Sequence, residues 1–121
     1  MTALPIDDVI PEIRAALASG NRLVLAAPPG AGKTTRAPLA LLDEPWLAGK
    51  KILLLEPRRI AARMAADRMA ATFSEKTGGV IGLSTRVDRK VSARTRIEVI
   101  TDGLFTRRIL GDPELDGVGA V

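Results

Sequence analysis

The feature that most constrains the fold is the abrupt change of residue type within "NRLVLAAPPGAGKTTRAPLALL". Aliphatic side chains dominate 21–27 and predict a buried strand, whereas the proline, glycine and lysine of 28–33 are typical of a loop. From Lys33 to about Leu42 the sequence predicts a helix, in which we expect Pro38 to cause a kink. A strand, a tight loop and a helix in this order form one unit of a parallel sheet that is covered by helices.

The loop "APPGAGKTT" has the composition of a phosphate-binding loop, although Ala27 stands where the pattern G-x-x-x-x-G-K-[ST] begins with glycine. Small residues let backbone N–H groups turn toward an anion, and the start of the following helix favours negative charge. Lys33 offers an ammonium to the β- and γ-phosphates of a nucleotide, and Thr34 offers a hydroxyl to Mg²⁺. The predicted nucleotide-binding residues are Gly30, Ala31, Gly32, Lys33 and Thr34. This motif alone does not separate kinases, transport ATPases, GTPases and helicases.

The rest of the chain alternates between strand and helix patterns in the same way. Further strands are predicted at 50–56, 80–87, 95–101 and 117–121. Helices are predicted at 10–20, 57–73 and 102–110, the last with Asp102 as its N-cap. Continuous apolar runs favour an α/β fold with a parallel sheet flanked by helices. Because the chain stops where a strand has begun, we expect the sheet to be truncated.

Charge and composition narrow the classes of function. The net charge is +4, and residues 56–108 carry twelve basic and six acidic side chains, which suits a polyanionic partner. The alternative is an arginine-rich surface that is simply solvated. The absence of cysteine and histidine excludes zinc sites, disulfides and imidazole chemistry and fits a reducing compartment. With no leader pattern and no long apolar run, we expect a cytoplasmic protein that does not enter a membrane.

Two polar clusters follow predicted strands. In "ILLLEPRRIAA", Glu56 resembles the acid that organises Mg²⁺ in nucleotide hydrolases, but the adjacent Arg58 and Arg59 suit phosphate binding better. In "TDGLFTRR", Thr101 and the first amides of the predicted helix can hold a backbone phosphate. Ordinary helix capping and surface charge are the alternative explanation for both clusters.

Four segments of the sequence, in the order in which they occur, are similar to the motifs of a known family. They are "APPGAGKTT", "LLLEPRRIAARMAADRMA", "IGLSTRVDRKVSARTRIEVITDGLFTRRI" and "DPELDGVGAV". Together they resemble the first RecA-like domain, a P-loop NTPase fold, of the DEAH-box ATP-dependent helicases of superfamily 2. The "LPIDDVIPEIRAAL" start and the "PPGAGKTT" loop resemble the bacterial HrpB type in particular. The resemblance covers essentially the whole chain.

The resemblance implies two groups of functional residues. The family's motif I corresponds to Gly30–Thr35, which would bind ATP and add Thr35 to the nucleotide-binding set, with Lys33 as its catalytic cation and Thr34 on Mg²⁺. Arg68 matches a position where these helicases stack a guanidinium on adenine. The residues implied at the nucleic-acid backbone are Arg58 and Arg59 of motif Ia, Arg86, and Thr101, Asp102 and Gly103 of motif Ib. Arg86 lies in "GLSTRVD", where Leu83 and Val87 replace the family's usual aromatic residues.

The resemblance also implies what the chain lacks. The acid–acid–x–His box would begin two or three residues beyond Val121, so residues 1–121 would be the N-terminal part of a helicase ATP-binding domain. The parent would couple ATP hydrolysis to translocation along RNA or single-stranded nucleic acid, whereas this piece alone, without the remaining helicase regions, is expected to be inactive. Two alternatives stay open. One is a self-contained P-loop binding module or small kinase-like protein with Glu56 at the metal, and the other is a basic nucleic-acid-binding domain whose phosphate loop has lapsed.

Overall fold

The computed structural model describes residues 8–20 and 33–121. The chain divides into two compact units, Met1–Ala48 and Gly49–Val121, and each is described by itself. The predicted strand at 21–27 and the first residues of the predicted phosphate loop, 28–32, lie outside the described residues.

The described part of the first unit contains two α-helices. Helix α1 spans Ile10–Ser19 and α2 spans Lys33–Ala40, close to the predicted bounds. Pro11 lies in the first turn of α1, where its missing N–H costs nothing. Helix α2 ends two residues before the predicted Leu42, because the amides that follow the internal Pro38 bond to carbonyls three residues back, closing a turn. A short 3-10 segment, Pro45–Leu47, completes the described part of this unit.

The second unit is a five-stranded sheet with two helices. The strands are β1 (Lys51–Glu56), β2 (Ile81–Ser84), β3 (Arg89–Lys90), β4 (Ile97–Thr101) and β5 (Val118–Ala120). The helices are α3 (Arg59–Thr72) and α4 (Asp102–Gly111). The strand order is β3-β2-β4-β1-β5, and every pairing is parallel except that of β2 with β3. The predicted α/β class with a mostly parallel sheet is confirmed.

One predicted strand is wrong in its second half. The segment 80–87 was expected to be continuous, but β2 ends at Ser84 and the chain reverses into β3. The reversal is stabilised by Thr85, whose Oγ1 accepts hydrogen bonds from the N–H groups of Val87 (3.3 Å) and Asp88 (3.0 Å). A threonine hydroxyl that bonds the backbone two and three residues ahead replaces the ladder bonds that would have continued the strand.

The core is aliphatic, because the sequence has only two phenylalanines, one tryptophan and no tyrosine. Strand β4 is buried along its whole length. Helix α3 covers the sheet with a face made mainly of small side chains, namely Ala62, Ala65, Ala66, Met69 and Ala70. Alanine lets the helix approach the sheet closely, so dense packing is reached without aromatic residues.

A buried ionic cluster links three elements of the second unit. Glu98, in the middle of β4, is only 1% exposed. Its carboxylate accepts hydrogen bonds from Lys51 Nζ on β1 (2.5 Å) and from an Nη of Arg108 on α4 (2.7 Å). Burial alone would raise the pKa of this carboxyl, but the bonds from Arg108 and Lys51 lower the pKa from 4.5 to about 2. The cluster therefore ties α4 to the sheet.

We expect Glu98→Gln to lower the free energy of unfolding by about 2–4 kcal/mol at pH 7, because Lys51 and Arg108 lose their shared partner. A carboxyl with a lowered pKa stabilises the fold above its unfolded pKa and loses that contribution as the pH falls toward 2. The variant should therefore lose less stability than the wild type between about pH 4.5 and pH 2. Urea unfolding at several pH values measures this, with Glu114→Gln, an exposed carboxylate, as the control. If the stability of the wild type and that of Glu98→Gln depended equally on pH, the role given to the ionised Glu98 carboxylate would be contradicted.

Candidate functional site

The carboxyl ends of three adjacent parallel strands lie at one edge of the sheet. Glu56 of β1 is in register with Thr101 of β4, and Ser84 of β2 is in register with Ile100. The segments that leave β1, β4 and β2 are therefore neighbours in space although they are far apart in sequence. In open parallel sheets, ligands bind at this edge.

A concave pocket of about 380 Å³ lies at this edge. It is lined by Pro57, Arg59, Arg86, Thr101, Gly103, Leu104 and Arg107. Four of the six residues predicted at a nucleic-acid backbone are therefore brought together, one or more from each of the three segments. The other two, Arg58 and Asp102, are exposed and adjoin the lining in sequence without being part of it.

Arg86 is presented by the turn between β2 and β3. The backbone N–H of Thr85 donates to the carbonyl of Asp88 (2.7 Å), which closes the turn around Arg86 and Val87. The Asp88 carboxylate pairs with Arg63 of α3, so the turn is attached to the helix that follows β1. This attachment positions an exposed arginine beside the pocket formed by residues from the other two strand ends.

The start of α4 forms another side of the pocket. Thr101 occupies the N-cap position in extended conformation, and its side chain makes no capping bond. The prediction that Asp102 is the N-cap is wrong, because Asp102 is the first helical residue. Its carboxylate still lies in the first turn, where the helix dipole favours negative charge. Backbone N–H groups of this turn have no partner within the helix and are available to an anion.

The pocket carries a strongly positive charge. Arg59, Arg86 and Arg107 are all exposed, and among the described residues no carboxylate is part of the lining. Sequence reasoning missed Arg107 and Leu104. The helical period could have indicated Arg107, since it lies four residues after Gly103 and so on the same side of α4.

The predicted nucleotide site is described only in part. Helix α2 begins at Lys33, so a helix N-terminus follows the loop, as phosphate binding requires. Residues 28–32, and the side chains of Lys33, Thr34 and Thr35, lie outside the described part of the chain. Arg68 is exposed on α3, nine residues or about two and a half turns after Arg59, and therefore on the opposite side of the helix.

Glu56, the metal acid of the alternative hypothesis, ends β1 and is partly buried. Within 8–20 and 33–121, no group of three or more aspartate or glutamate side chains is arranged to hold a metal ion. In those two ranges, no helix has the length and apolar character needed to cross a membrane.

Similar proteins are found by sequence along the whole chain. It is 49% identical over 121 residues, all of this chain and 15% of the relative, to the ATP-dependent RNA helicase HrpB of Escherichia coli strain K12. It is 36% identical over 114 residues to the pre-mRNA-splicing factor ATP-dependent RNA helicase DEAH10 of Arabidopsis thaliana, covering 93% of this chain and 16% of that protein. An HrpA homolog of Haemophilus influenzae, also an ATP-dependent RNA helicase by name, is 33% identical over 91% of this chain and 8% of its own length. No protein-family profile matches.

Solved structures of HrpB are also similar to this chain. The crystal structure of the Escherichia coli DEAH/RHA helicase HrpB superposes with a TM-score of 0.89 at 49% identity, over 96% of this chain and 15% of that one. The crystal structure of the E. coli DExH-box NTPase HrpB superposes with a TM-score of 0.91 at 47% identity, over 98% and 14%. The chain thus spans about one seventh of the length of the HrpB proteins. By sequence and by fold, it belongs with the DEAH-box helicases of the HrpB type and matches a fragment of their ATP-binding region.

Proposed function

We propose that residues 1–121 are the N-terminal part of the RecA-like, ATP-binding domain of an ATP-dependent RNA helicase. The intact protein would couple ATP hydrolysis to movement along RNA or to its unwinding. The observation that carries the proposal is the convergence of Arg59, Arg86 and the start of α4 on one positive pocket at the carboxyl edge of the sheet. The names of the relatives support the choice of an ATP-dependent RNA helicase.

In this proposal the nucleotide is held around the start of α2. Gly30, Ala31 and Gly32 donate backbone N–H groups to the phosphates, and Lys33 neutralises the β- and γ-phosphates as charge develops during hydrolysis. Thr34 and Thr35 would complete the nucleotide-binding set, with the hydroxyl of Thr34 as the group that would hold Mg²⁺, whose charge would assist hydrolysis. The family resemblance assigns Arg68, which is exposed on α3, to stacking on adenine. The water-activating groups would lie in the remainder of the helicase.

The nucleic-acid strand is held through its phosphates in the pocket. Arg59 and Arg86 offer guanidinium groups, while Thr101 and the amides near Asp102 and Gly103 offer hydrogen bonds to phosphate oxygens. Arg58, which adjoins the lining, adds charge at its rim. The described lining contains no aromatic side chain on which a base could stack, so binding should depend little on base sequence.

The extent of the domain is tested at the gene. The reading frame beyond Val121 should encode two or three aliphatic residues and then Asp-Glu-x-His. A different continuation would reject the assignment of residues 1–121 to the start of a helicase domain. A cytoplasmic location belongs to the same proposal and is supported by the absence of cysteine, which suits a reducing compartment.

The activity is tested with the intact gene product. We expect ATP hydrolysis that single-stranded RNA stimulates, and ATP-dependent separation of an RNA duplex with a single-stranded overhang. ATP hydrolysis that RNA does not change would instead favour the self-contained P-loop protein with Glu56 at the metal. RNA binding without any ATP binding would favour the other alternative, a basic nucleic-acid-binding domain whose phosphate loop no longer binds a nucleotide.

A glycine in the pocket gives a prediction that separates binding from folding. A Cβ atom added at Gly103 would meet nothing within 4 Å, and alanine is a better helix former, so Gly103→Ala should keep or raise the melting temperature. Because the new methyl group would occupy the face that we propose for the phosphate, RNA affinity should fall at least about three-fold, or ~0.7 kcal/mol. Fluorescence anisotropy and thermal unfolding measure the two effects.

The matched control is Gly111→Ala at the other end of α4. A Cβ atom at Gly111 also meets nothing within 4 Å, and Gly111 does not line the pocket. This control should keep the wild-type RNA affinity. Equal affinities for the two variants would reject a phosphate at the start of α4.

A further inference from the structure

A second basic pocket adjoins the one described above. It has a volume of about 480 Å³ and is lined by Ser84, Thr85, Arg89, Leu104, Arg107 and Arg108. Leu104 and Arg107 line both pockets, so the two pockets adjoin along α4, and we refer to them together as the groove. The second pocket extends this groove toward β3, at the edge of the sheet.

The three arginines of this pocket are not equivalent. Arg108 is 27% exposed and donates to Glu98 (2.7 Å), so the buried carboxylate already neutralises its charge. Arg89 and Arg107 are exposed, and in the part of the chain described here neither forms an ion pair. The charge available to a ligand in this pocket therefore comes from Arg89 and Arg107.

The ionic cluster also sets the direction of Arg107. Consecutive residues of a helix point about 100° apart, so the bond from Arg108 to Glu98 fixes the rotation of α4 about its axis. With Arg108 turned toward the sheet, Arg107 lies along the groove. Adjacent arginines thus divide between an internal ion pair and an exposed guanidinium.

We propose that the second pocket binds a further phosphate of the same RNA strand that the first pocket holds, with Arg89 and Arg107 as its phosphate ligands. The ligand class is the phosphodiester backbone of a single-stranded nucleic acid, which a guanidinium binds through paired hydrogen bonds. The inference rests on the proposed function, and it adds two residues and a direction to the bound RNA strand, from the start of α4 toward β3.

The test is the salt dependence of RNA binding by the intact gene product with a single-stranded uridine oligomer of about 12 nucleotides. Each phosphate contact to a single strand contributes about 0.7 to the slope of log affinity against log salt. Arg89→Gln should lower the slope by about 0.7 and weaken binding about five-fold near 0.1 M salt. Arg107→Gln, which alters both pockets, should weaken binding at least as much.

The matched control is Lys90→Gln, the next residue of β3. Lys90 is exposed, carries the same charge and lines neither pocket, so its replacement should leave the slope nearly unchanged. Equal losses of RNA affinity in Arg89→Gln and Lys90→Gln would mean that RNA binding depends only on the overall charge of the protein. That result would overturn the second phosphate site.

A further variant separates this inference from the proposed function. If Arg59→Gln weakens RNA binding while Arg89→Gln and Arg107→Gln do not, the second site is rejected and the first pocket stands. If none of the three variants changes RNA binding, the proposed function fails and the second site fails with it. Circular dichroism of each variant confirms that these exposed positions leave the fold intact.

Discussion

A double variant, Arg59→Gln with Arg86→Gln, is expected to bind single-stranded RNA about 25-fold more weakly near 0.1 M salt, with a salt slope lower by about 1.4. Both guanidiniums line the first pocket, and among the described residues no carboxylate lies there to share their charge. The intact gene product is titrated with a fluorescent oligouridine at four or five salt concentrations. Since the expected loss comes from two phosphate contacts, it should be the same for different base sequences.

The control for this variant removes two positive charges elsewhere. Lys50→Gln with Lys76→Gln replaces two exposed lysines that line neither pocket. Their loss should change the slope by a small fraction of the effect at Arg59 and Arg86. An unchanged slope in the arginine variant, or an equal change in the lysine variant, would contradict a phosphate site at the carboxyl edge of the sheet. The change in slope for Arg58→Gln alone should lie between those of the arginine and lysine double variants, because Arg58 is exposed but does not line the pocket.

The second large effect is expected at Lys33. Lys33→Ala should lower ATP hydrolysis by the intact gene product at least about 100-fold, because the variant lacks the ammonium that we place on the β- and γ-phosphates. ATP affinity should also fall, whereas RNA binding without nucleotide should stay within error of the wild type. Single-turnover hydrolysis and nucleotide titration measure the first two quantities, and RNA titration measures the third.

Lys50→Ala serves as the control for Lys33, since it removes an exposed lysine from outside the predicted phosphate loop. Undiminished ATP hydrolysis in Lys33→Ala would reject the phosphate-loop assignment. Taken with the arginine variant, this experiment separates the alternatives. In a self-contained P-loop protein, ATP hydrolysis would depend on Lys33, and replacing Arg59 and Arg86 would have no effect. In a nucleic-acid-binding domain without a working phosphate loop, RNA binding would depend on Arg59 and Arg86, and replacing Lys33 would have no effect.

Several elements of the fold follow from local sequence alone. Strand β1 and helix α3 agree with the predicted strand and helix to within two residues at each end. Continuous aliphatic residues in "ILLL" and an alanine-rich run after Pro57 leave few other conformations with comparable burial. Local patterns were misleading where a side chain bonds its own backbone, as Thr85 does when it ends β2 and reverses the chain.

The candidate site follows from sequence only in part. The resemblance implied Arg59, Arg86, Thr101 and Gly103 one motif at a time, but no pattern in the sequence places the three motifs side by side. Their proximity depends on the order β2-β4-β1, because strands adjacent in the sheet are not consecutive in the chain. Arg107 was missed for a related reason, since its place in both pockets depends on the rotation of α4 that Glu98 and Arg108 set.

What the sequence by itself determined is the set of elements and the family, since hydrophobic periodicity and ordered motifs are properties of neighbouring residues. What only the tertiary structure decided is which arginines are available to a ligand. Arg107 and Arg108 are identical in type and adjacent in the chain, yet Arg108 pairs with a buried carboxylate, whereas Arg107 is exposed and lines both pockets. The difference arises because the packing of α4 against β4 brings Glu98 within reach of Arg108 and not of Arg107, and packing between two elements is not encoded in either segment alone.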